Sequence, residues 1–457
     1  MTAAARIAEF VAKTSLDDCP RPALTHVRRA ALDTLGVMLA GSLEPAARAV
    51  RDVVRAEGGT PLCTVVGTAL RTSPTWAALA NGVAGHAHDF DDTSFAWMGH
   101  PSVPLFAAAL AAAEAEAADG AAVALAYLLG FEVGAALGTA VNPGHYARGW
   151  HATATLGTLA CTAAAARILG LDSGQTRHAL GLGASLASGV KENFGTMAKP
   201  YHAGHAARNG VLAALLARAG LTAAETALEG RQGLFAATGD GPGAEALAAA
   251  LDGLGQRWHV LESGVAVKPY PSCALTHAAV EALIALRRAH GFSADVIADI
   301  EVGVSRVTPD VLIYPAPTTA LERKFSLPFC AATAAAHGRL DLAAFEDGPV
   351  RDPAVRALMP RVRMVVDPTL PERPEQHAWS RVTVRLTDGR ALASPPRGAR
   401  GHPDEPLDEA ALREKFLACA ARVLTRGEAE GVAAQLAEFE AIPDIRALTG
   451  RLTAERD

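Results

Sequence analysis

The sequence predicts a mainly α-helical protein, with a large all-helical domain and a smaller α+β domain. First, 457 residues exceed one ordinary hydrophobic core, so two domains are expected. Second, half of the residues are hydrophobic but only 5% are aromatic, so alanine fills much of the interior. Alanine- and leucine-rich runs favour closely packed helices. Third, the helical spacing of apolar residues gives way to alternating β patterns after Trp258.

The first domain, predicted over residues 1–266, consists of successive helices. Apolar residues recur at helical spacing, and a glycine follows most runs, which is the usual stop signal of a helix. The predicted helices cover residues 24–39, 46–56, 76–84, 104–117, 121–138, 152–169, 174–190, 204–219 and 222–228.

The second domain is predicted over residues 267–401. Residues 300–305, 362–366 and 382–386 alternate as strands, and Asp388-Gly389 marks a hairpin turn. Helical segments are expected at 276–289 and 325–337. Two further helices, at 408–424 and 429–439, are expected to return to the first domain, so that residues 402–457 complete it.

Charge and cysteine usage restrict the classes of function. A net charge of −6 argues against a nucleic-acid binder, which needs a basic face. Six widely spaced cysteines without a C-x-x-C pair suit a reducing compartment. The sequence shows no signal-peptide pattern and no uninterrupted run of about 20 apolar residues. We therefore expect a cytoplasmic protein without a membrane span.

The most informative segment runs from His86 to Ser102 and contains three histidines and three aspartates. Buried charge is costly unless it is paired or used. The cluster is therefore a metal site, an acid–base site or a satisfied helix end. The spacing disfavours metal, because side chains two residues apart on a helix face different directions. Alone, the segment leaves the acid–base and capping interpretations open.

Three later motifs supply histidines and lysines beside helix starts. His151 precedes an alanine-rich helix, where free N–H groups favour an anion. Lys199-Pro200-Tyr201-His202 precedes another helix, and the proline biases Lys199 toward an extended backbone. Lys268-Pro269-Tyr270 repeats the theme and leads to His277 at the predicted domain junction, where ligands often bind. Taken singly, each motif fits a cap, linker or surface group equally well.

Together, and in this order, the four motifs resemble those of the MmgE/PrpD family. The resemblance covers residues 1–440, with a weaker fifth match at Lys324-Phe325-Ser326-Leu327-Pro328. It implies a helical domain, a lid, an active site in the cleft between them, and a homodimer. It implies no cofactor and no metal for catalysis. The family includes 2-methylcitrate dehydratase, cis-aconitate decarboxylase and iminodisuccinate epimerase.

Position by position, the resemblance implies a set of site residues in this sequence. His100 and His151 are candidates for proton transfer, Asp89 for orienting an imidazole, and Lys199 and His277 for holding substrate carboxylates. Thr93, Tyr201, His202 and Lys268 are candidates for substrate binding. His86, Asp91 and Asp92 are assigned structural roles. Trp97 and Met98 are expected to make one wall apolar and to set the substrate.

These residues suit a carbanion formed or quenched beside a carboxylate, which needs a base, a proton donor and cations. The expected function is a lyase acting on a small di- or tricarboxylate, most simply by dehydration, with decarboxylation also open. An epimerase of an imino- or aminodicarboxylate is the alternative enzyme. A non-catalytic helical scaffold is the alternative outside enzymes, and it predicts that the motifs do not converge.

Overall fold

The computed structural model describes residues 1–239, 244–346, 348, 350–371 and 378–454. It is mainly helical with a smaller α/β part, as the sequence predicted. The helices of the first part are α1 (Ala3–Lys13), α2 (Arg21–Gly41), α3 (Pro45–Glu57), α4 (Pro74–His86), α5 (Ser102–Glu116), α6 (Gly120–Val141), α7 (Gly144–Ala147), α8 (Ala152–Ile168), α9 (Ser173–Leu186), α10 (Ala198–Arg218), α11 (Leu234–Thr238), α12 (Ala244–Asp252) and α13 (His259–Glu262). Strands β1 (Cys63–Thr64) and β2 (Arg71–Thr72) form a short antiparallel pair.

Helices α4 and α10 pack in direct backbone contact, and this contact positions part of the site. A Cβ atom added at Gly82 would lie 2.6 Å from the Cα atom of Gly204, and one at Gly204 would lie 2.3 Å from the carbonyl oxygen of Leu79. The two backbones therefore touch. This contact brings the last residue of α4, His86, to the first turn of α10, where Lys199 lies.

Two predictions for this part were wrong in detail. Residues 222–228 form turns instead of a helix, because the amides of Leu234 and Phe235 bind the carbonyls of Ala227 and Leu228. Helix α10 begins at Ala198, so Lys199 is helical and not extended. Pro200 is tolerated there because amides of the first turn have no partner within the helix.

Helix α6 bears on the expectation that the chain has no membrane span. Among the described residues it is the one helix long and apolar enough to cross a membrane by length and composition. Neighbouring parts of the protein bury 89% of its most apolar window. Its surroundings are therefore those of a core helix, and Glu132 within it accepts bonds from the amides of His259 and Val260.

The second part contains a four-stranded sheet in the order β4-β3-β5-β6, with β3 parallel to β4 and antiparallel to β5. Its strands are β3 (Ile297–Val304), β4 (Val362–Val366), β5 (Ser380–Leu386) and β6 (Ala391–Ala393). Its helices are α14 (His277–His290), α15 (Ala320–Arg323), α16 (Leu327–His337) and α17 (Pro353–Leu358). Helices α14 and α16 pack on the sheet and share its apolar core.

The last helices return to the first part. They are α18 (Glu409–Ala420), α19 (Arg426–Leu436) and α20 (Arg446–Thr449). Helices α18 and α19 pack against α2, and Phe416 and Phe439 are buried in the large helical core. The residues at which one domain passes to the other, 266 and 401, stay predictions.

Candidate active site

The site is built around Asp89, in the turn that follows α4. The backbone of Asp89 is left-handed, with φ of 51°, a conformation that non-glycine residues rarely adopt. Its carboxylate accepts a hydrogen bond from Nζ of Lys199 at 2.8 Å and lies 3.0 Å from Nζ of Lys268. Burial opposes ionisation, but these two ammonium groups outweigh it and hold the pKa of Asp89 well below its usual range. Asp89 is therefore an ionised anchor between two cations.

A second chain of contacts joins Asp91, His86 and Lys199. Nδ1 of His86 lies 2.8 Å from Oδ1 of Asp91, and Nε2 of His86 lies 2.9 Å from Nζ of Lys199. Burial lowers the pKa of His86 to about 4, despite the attraction of Asp91. The imidazole is therefore neutral near pH 7, and it donates to Asp91 from Nδ1 while it accepts from Lys199 at Nε2.

His100 lies against the same group of carboxylates. Its Nε2 is 3.5 Å from Oδ1 of Asp89, and its Nδ1 is 3.2 Å from Oδ2 of Asp91. Its backbone N–H donates to the hydroxyl of Thr153, which fixes the residue at the start of α8. Burial lowers the pKa of His100, although Asp91 favours the charged form. His100 is a buried, neutral imidazole beside two carboxylates, which suits proton transfer.

His151 is held from behind by His202. The two Nδ1 atoms lie 3.0 Å apart, so Nε2 of His151 is the nitrogen that remains for a ligand. Burial and the nearby Lys199 ammonium hold the pKa of His151 well below its usual value. His202 lies three residues after Lys199 on α10, and burial lowers its pKa to about 4. His202 therefore positions His151 instead of lining the cavity.

These groups surround a cavity of about 160 Å³ between the helical part and the sheet-containing part. The volume is below the range of about 300–1,000 Å³ that is common for larger ligands, which suits a small molecule. The lining residues that carry polar groups include Asp89, Thr93, His100, His151, Lys199 and Lys268. The lining residues that are apolar include Met98, Phe194, Leu275, Val307, Val311 and Phe325.

Besides His202, two more of the residues implied by the resemblance lie outside this cavity. Tyr201 lies two residues after Lys199 on α10, and residues two apart on a helix face different directions. Tyr201 is therefore 38% exposed and packs on His205. His277 lines a neighbouring recess of about 30 Å³ together with Thr93 and Lys268, and its Nε2 lies 3.0 Å from the carbonyl oxygen of Ser272. The structure therefore gives neither residue a direct contact with the cavity.

Trp97 and Met98 have different environments. Met98 lines the cavity, as the sequence indicated. Trp97 is fully buried, its indole N–H donates to the carbonyl of Phe131, and a Cβ at Gly134 would overlap its ring at 2.0 Å. Gly134 and Gly138 of α6 have no side chains, and the slot that they leave is filled by Trp97. Trp97 therefore anchors the loop in the core and does not form a wall of the cavity.

Sequence reasoning missed several members of the site. His86 and Asp91 were assigned structural roles, yet His86 binds Lys199 and Asp91 approaches His100. Phe194 and Phe325 come from separate segments and pack on each other at 5.6 Å between ring centroids. Only the dense His/Asp motif itself could have signalled His86 and Asp91. Asp92 has the expected structural role, because it binds Ser102, which contacts Tyr127.

The same histidines and carboxylates lie close enough together to be considered as metal ligands. Ligand atoms of His86, His100 and His151 lie within 4.8 Å of one another, and so do those of His86, Asp89, Asp91 and His100. In the structure, however, the Lys199 ammonium occupies the position where Nε2 of His86 and Oδ1 of Asp89 converge. A metal ion there would have to displace a cation that is already bound, so the donor set fits an ammonium better.

The fold and the site together define a class of protein: a two-domain enzyme whose buried cleft combines lysine ammonium groups with neutral imidazoles. Comparisons with known proteins agree. The model of the MmgE/PrpD N-terminal domain matches residues 5–247, and that of the MmgE/PrpD C-terminal domain matches residues 270–438. The chain belongs to the MmgE/PrpD family.

Its curated relatives are decarboxylases. The cis-aconitate decarboxylase of Mus musculus is 30% identical over 438 residues, which cover 92% of this chain and 87% of that protein. The human cis-aconitate decarboxylase is 29% identical over 439 residues, with coverage of 92% and 88%. That of Aspergillus terreus is 30% identical over 297 residues, with coverage of 62% and 60%. The protein is therefore an enzyme of the lyase type.

Proposed function

We propose that this enzyme is a lyase that decarboxylates a small di- or tricarboxylate. The observation that carries the proposal is the pairing, in one cavity, of two ammonium groups and neutral imidazoles with an apolar wall. Lys199 and Lys268 supply the cations, His100 and His151 the imidazoles, and the second part of the chain supplies most of the wall. The decarboxylase relatives support the same reaction.

The cationic groups suit the carboxylates that the reaction leaves intact. Only one carboxylate, Asp89, lies within ion-pair distance of Lys199 and Lys268 among the described residues. Two ammonium charges thus face a single anion, and the excess positive charge attracts a polyanion into a buried site. A substrate carboxylate bound there would also stabilise the enolate-like charge that develops on the neighbouring carbon.

The apolar wall suits the carboxylate that leaves. Phe194, Val311 and Phe325 form one buried apolar cluster at the cavity. When the carbon–carbon bond breaks, its electron pair stays on the substrate carbon and the charged carboxylate becomes neutral carbon dioxide. An apolar surrounding disfavours the charged carboxylate relative to carbon dioxide. The substrate carbon then takes a proton from the enzyme, and we assign that transfer to His100 or His151.

Decarboxylation fits these groups better than the dehydration that the sequence most simply suggested. A departing hydroxide needs a proton donor. The pKa values of His100 and His151 are lowered mainly by burial, and that of Asp89 is held low by its lysines, so these groups are weak donors in the free enzyme. Carbon dioxide leaves without a proton. The carbanion that remains is a much stronger base than a hydroxyl oxygen, so it takes a proton even from a weak donor.

The epimerase remains the second candidate, because two imidazoles line one cavity. Inversion at carbon needs two groups on opposite faces, about 5–6 Å apart if each is within hydrogen-bond reach of the carbon. The ligand nitrogens of His100 and His151 lie within 4.8 Å of each other, and both residues belong to the helical part. This arrangement favours one-sided protonation.

The decisive test incubates the enzyme in deuterium oxide with cis-aconitate, 2-methylcitrate and aminodicarboxylates. We expect release of carbon dioxide and one deuterium in the product. An olefin without gas would establish a dehydratase, and deuterium exchange without net conversion would establish an epimerase. Either result would contradict the decarboxylase. We also propose a homodimer in the cytoplasm that needs no cofactor; loss of activity with EDTA, restored by a metal, would contradict the last point.

A further inference from the structure

Lysine is used sparingly in this chain, and its placement is unusual. Of 42 lysines and arginines, only six are lysines: Lys13, Lys191, Lys199, Lys268, Lys324 and Lys415. Four of the six are buried, between 2% and 8% exposed, and all four contact the segment 86–90. Elsewhere the chain uses arginine, apart from Lys13 and Lys191. A compact ammonium with three donors suits a cramped buried position that a planar guanidinium does not.

Three of these lysines bind three consecutive peptide carbonyls. Nζ of Lys324 donates to the carbonyl oxygen of His88 at 2.9 Å. Nζ of Lys268 donates to that of Asp89 at 2.8 Å, and Nζ of Lys415 donates to that of Phe90 at 2.7 Å. We call Lys268, Lys324 and Lys415 the three-lysine support. The carbonyls that they bind flank the left-handed backbone of Asp89.

The three lysines come from separate parts of the chain. Lys415 lies on α18 and also forms a buried ion pair with Asp33 of α2, at 2.6 Å. Lys324 lies between α15 and α16, in the part of the chain that contains the sheet. Its other contacts are the carbonyl of Pro271 at 3.2 Å and the ring of Phe345. Within the described residues, Lys324 has no carboxylate partner, so the carbonyls are its main compensation for burial.

Burying cations beside neutral carbonyls is expensive, and a backbone amide or a water molecule would satisfy the same oxygens at lower cost. What the lysines add is a fixed position for the Asp89 peptide, since each is anchored in a different element. Such outer contacts are known to orient groups that act in a site. The Asp89 carboxylate in turn holds Lys199 and approaches His100.

We propose that Lys324 and Lys415 are positioning residues for the reaction, which hold the left-handed turn at Asp89 and thereby the Lys199–Asp89–His100 arrangement. Lys324 belongs to the sheet-containing part, whereas the imidazoles of the site belong to the helical part. The packing of one part on the other therefore fixes the geometry of the site through Lys324. This inference rests on the proposed function only for the identity of the reaction, not for the role of the lysines.

The test uses Lys324→Met and Lys415→Met in the full-length enzyme, with Lys13→Met as the matched control, because Lys13 is exposed and remote. We expect kcat to fall about 10–100-fold with KM changed less than about threefold, since a displacement of about 1 Å can cost about 100-fold. Hydrogen–deuterium exchange should rise in peptides covering 86–93 and stay unchanged elsewhere in the helical part. Binding of propane-1,2,3-tricarboxylate, measured by calorimetry, should persist.

Wild-type kcat and wild-type exchange in either variant would overturn the proposal for that lysine. Exchange that rises throughout the protein, with binding and kcat lost together, would show a purely structural role and also overturn it. If a methionine variant does not fold, the arginine variants Lys324→Arg and Lys415→Arg are tested instead. Because the proposal requires a compact ammonium, it predicts for them the same local rise in exchange and the same loss of kcat as for the methionine variants. Exchange and anion binding need no turnover, so failure of the decarboxylase assignment would be recognised separately.

Discussion

The two walls of the cleft differ in kind. The helical wall carries titratable groups that are bound to one another, as in the chain Asp91–His86–Lys199–Asp89. The wall from the sheet-containing part is mostly apolar at the cavity, with Leu275, Val307, Val311 and Phe325, and contributes buried lysines at its margin. The difference teaches that the chemistry is preorganised at helix ends, whereas the shape available to a substrate is set by the other part.

The largest effect is expected from breaking the helical wall at its centre. Lys199→Met removes the cation shared by His86 and Asp89 and leaves a buried carboxylate with fewer partners. Turnover should fall by about 10²–10⁴-fold. Lys13→Met is the control and should retain full activity. Steady-state kinetics beside circular dichroism would measure both, and a folded Lys199→Met enzyme with near-normal kcat would remove Lys199 from the site.

The next effect tests whether the helical wall depends on the close approach of α4 and α10. In Gly204→Ala, the new Cβ meets the carbonyl oxygen of Leu79 and a methyl group of Val83. The strain should lower the free energy of unfolding by about 1–3 kcal/mol and reduce kcat, because His86 and Lys199 move apart. Chemical denaturation and kinetics are the measurements.

Gly427→Ala provides the matched control for that substitution. Gly427 lies in α19, and a Cβ there meets nothing within 4 Å. Alanine is favoured over glycine in a helix by about 0.5–1 kcal/mol, so this variant should be slightly more stable and fully active. If Gly204→Ala behaved in the same way, the close helix contact would not determine the site.

A smaller effect comes from the buried histidines of the helical part. Burial lowers the pKa values of His86, His145 and His202 to about 4, below the unfolded value of about 6.5. The unfolded chain therefore takes up protons first as the pH falls. Stability from these groups is complete above about pH 6.5 and is lost toward pH 4, by at most about 1.4 kcal/mol per unit for each histidine.

Denaturation at pH 7.0 and 5.5 would measure this slope. His145→Gln should flatten it, since His145 bonds to Thr155 outside the cavity and its titration is removed without touching the site. Asp92 acts in the opposite sense, because burial raises its pKa to about 8; its contribution is complete below about pH 4 and is lost as the pH rises toward 8. A wild-type free energy of unfolding that is higher at pH 5.5 than at pH 7.0 would contradict the assignment of neutral histidines.

The smallest effect on kcat should come from the apolar wall. Val311→Ala removes two methyl groups beside Phe194 and Phe325 and widens the cavity. Differences of this size in a pocket are worth about 10–200-fold in discrimination between substrates. KM and substrate preference should therefore change, while the pH dependence of kcat stays that of the wild type. A changed pH profile would mean that the two walls are not independent.

Much of the architecture could be read from local patterns. The glycine that follows an apolar run predicted the end of α8 within two residues. The alternation of residues predicted both ends of β4 correctly. The resemblance of four motifs to one family was also correct, and residues of all four motifs meet in one cavity. These features depend on neighbours in the chain, where backbone propensity and side-chain spacing act directly.

The sequence by itself determined the helical class, the presence of a smaller sheet-containing part, and the family to which the chain belongs. Tertiary structure alone decided the rest. The contact between Gly82 and Gly204 makes His86 a partner of Lys199, the slot on α6 withdraws Trp97 from the cavity, and helical phase turns Tyr201 away. Each outcome depends on packing between residues far apart in the chain. For the same reason, the cluster at residues 86–92 is a lysine-bound network in the structure, although its composition alone also suited a metal.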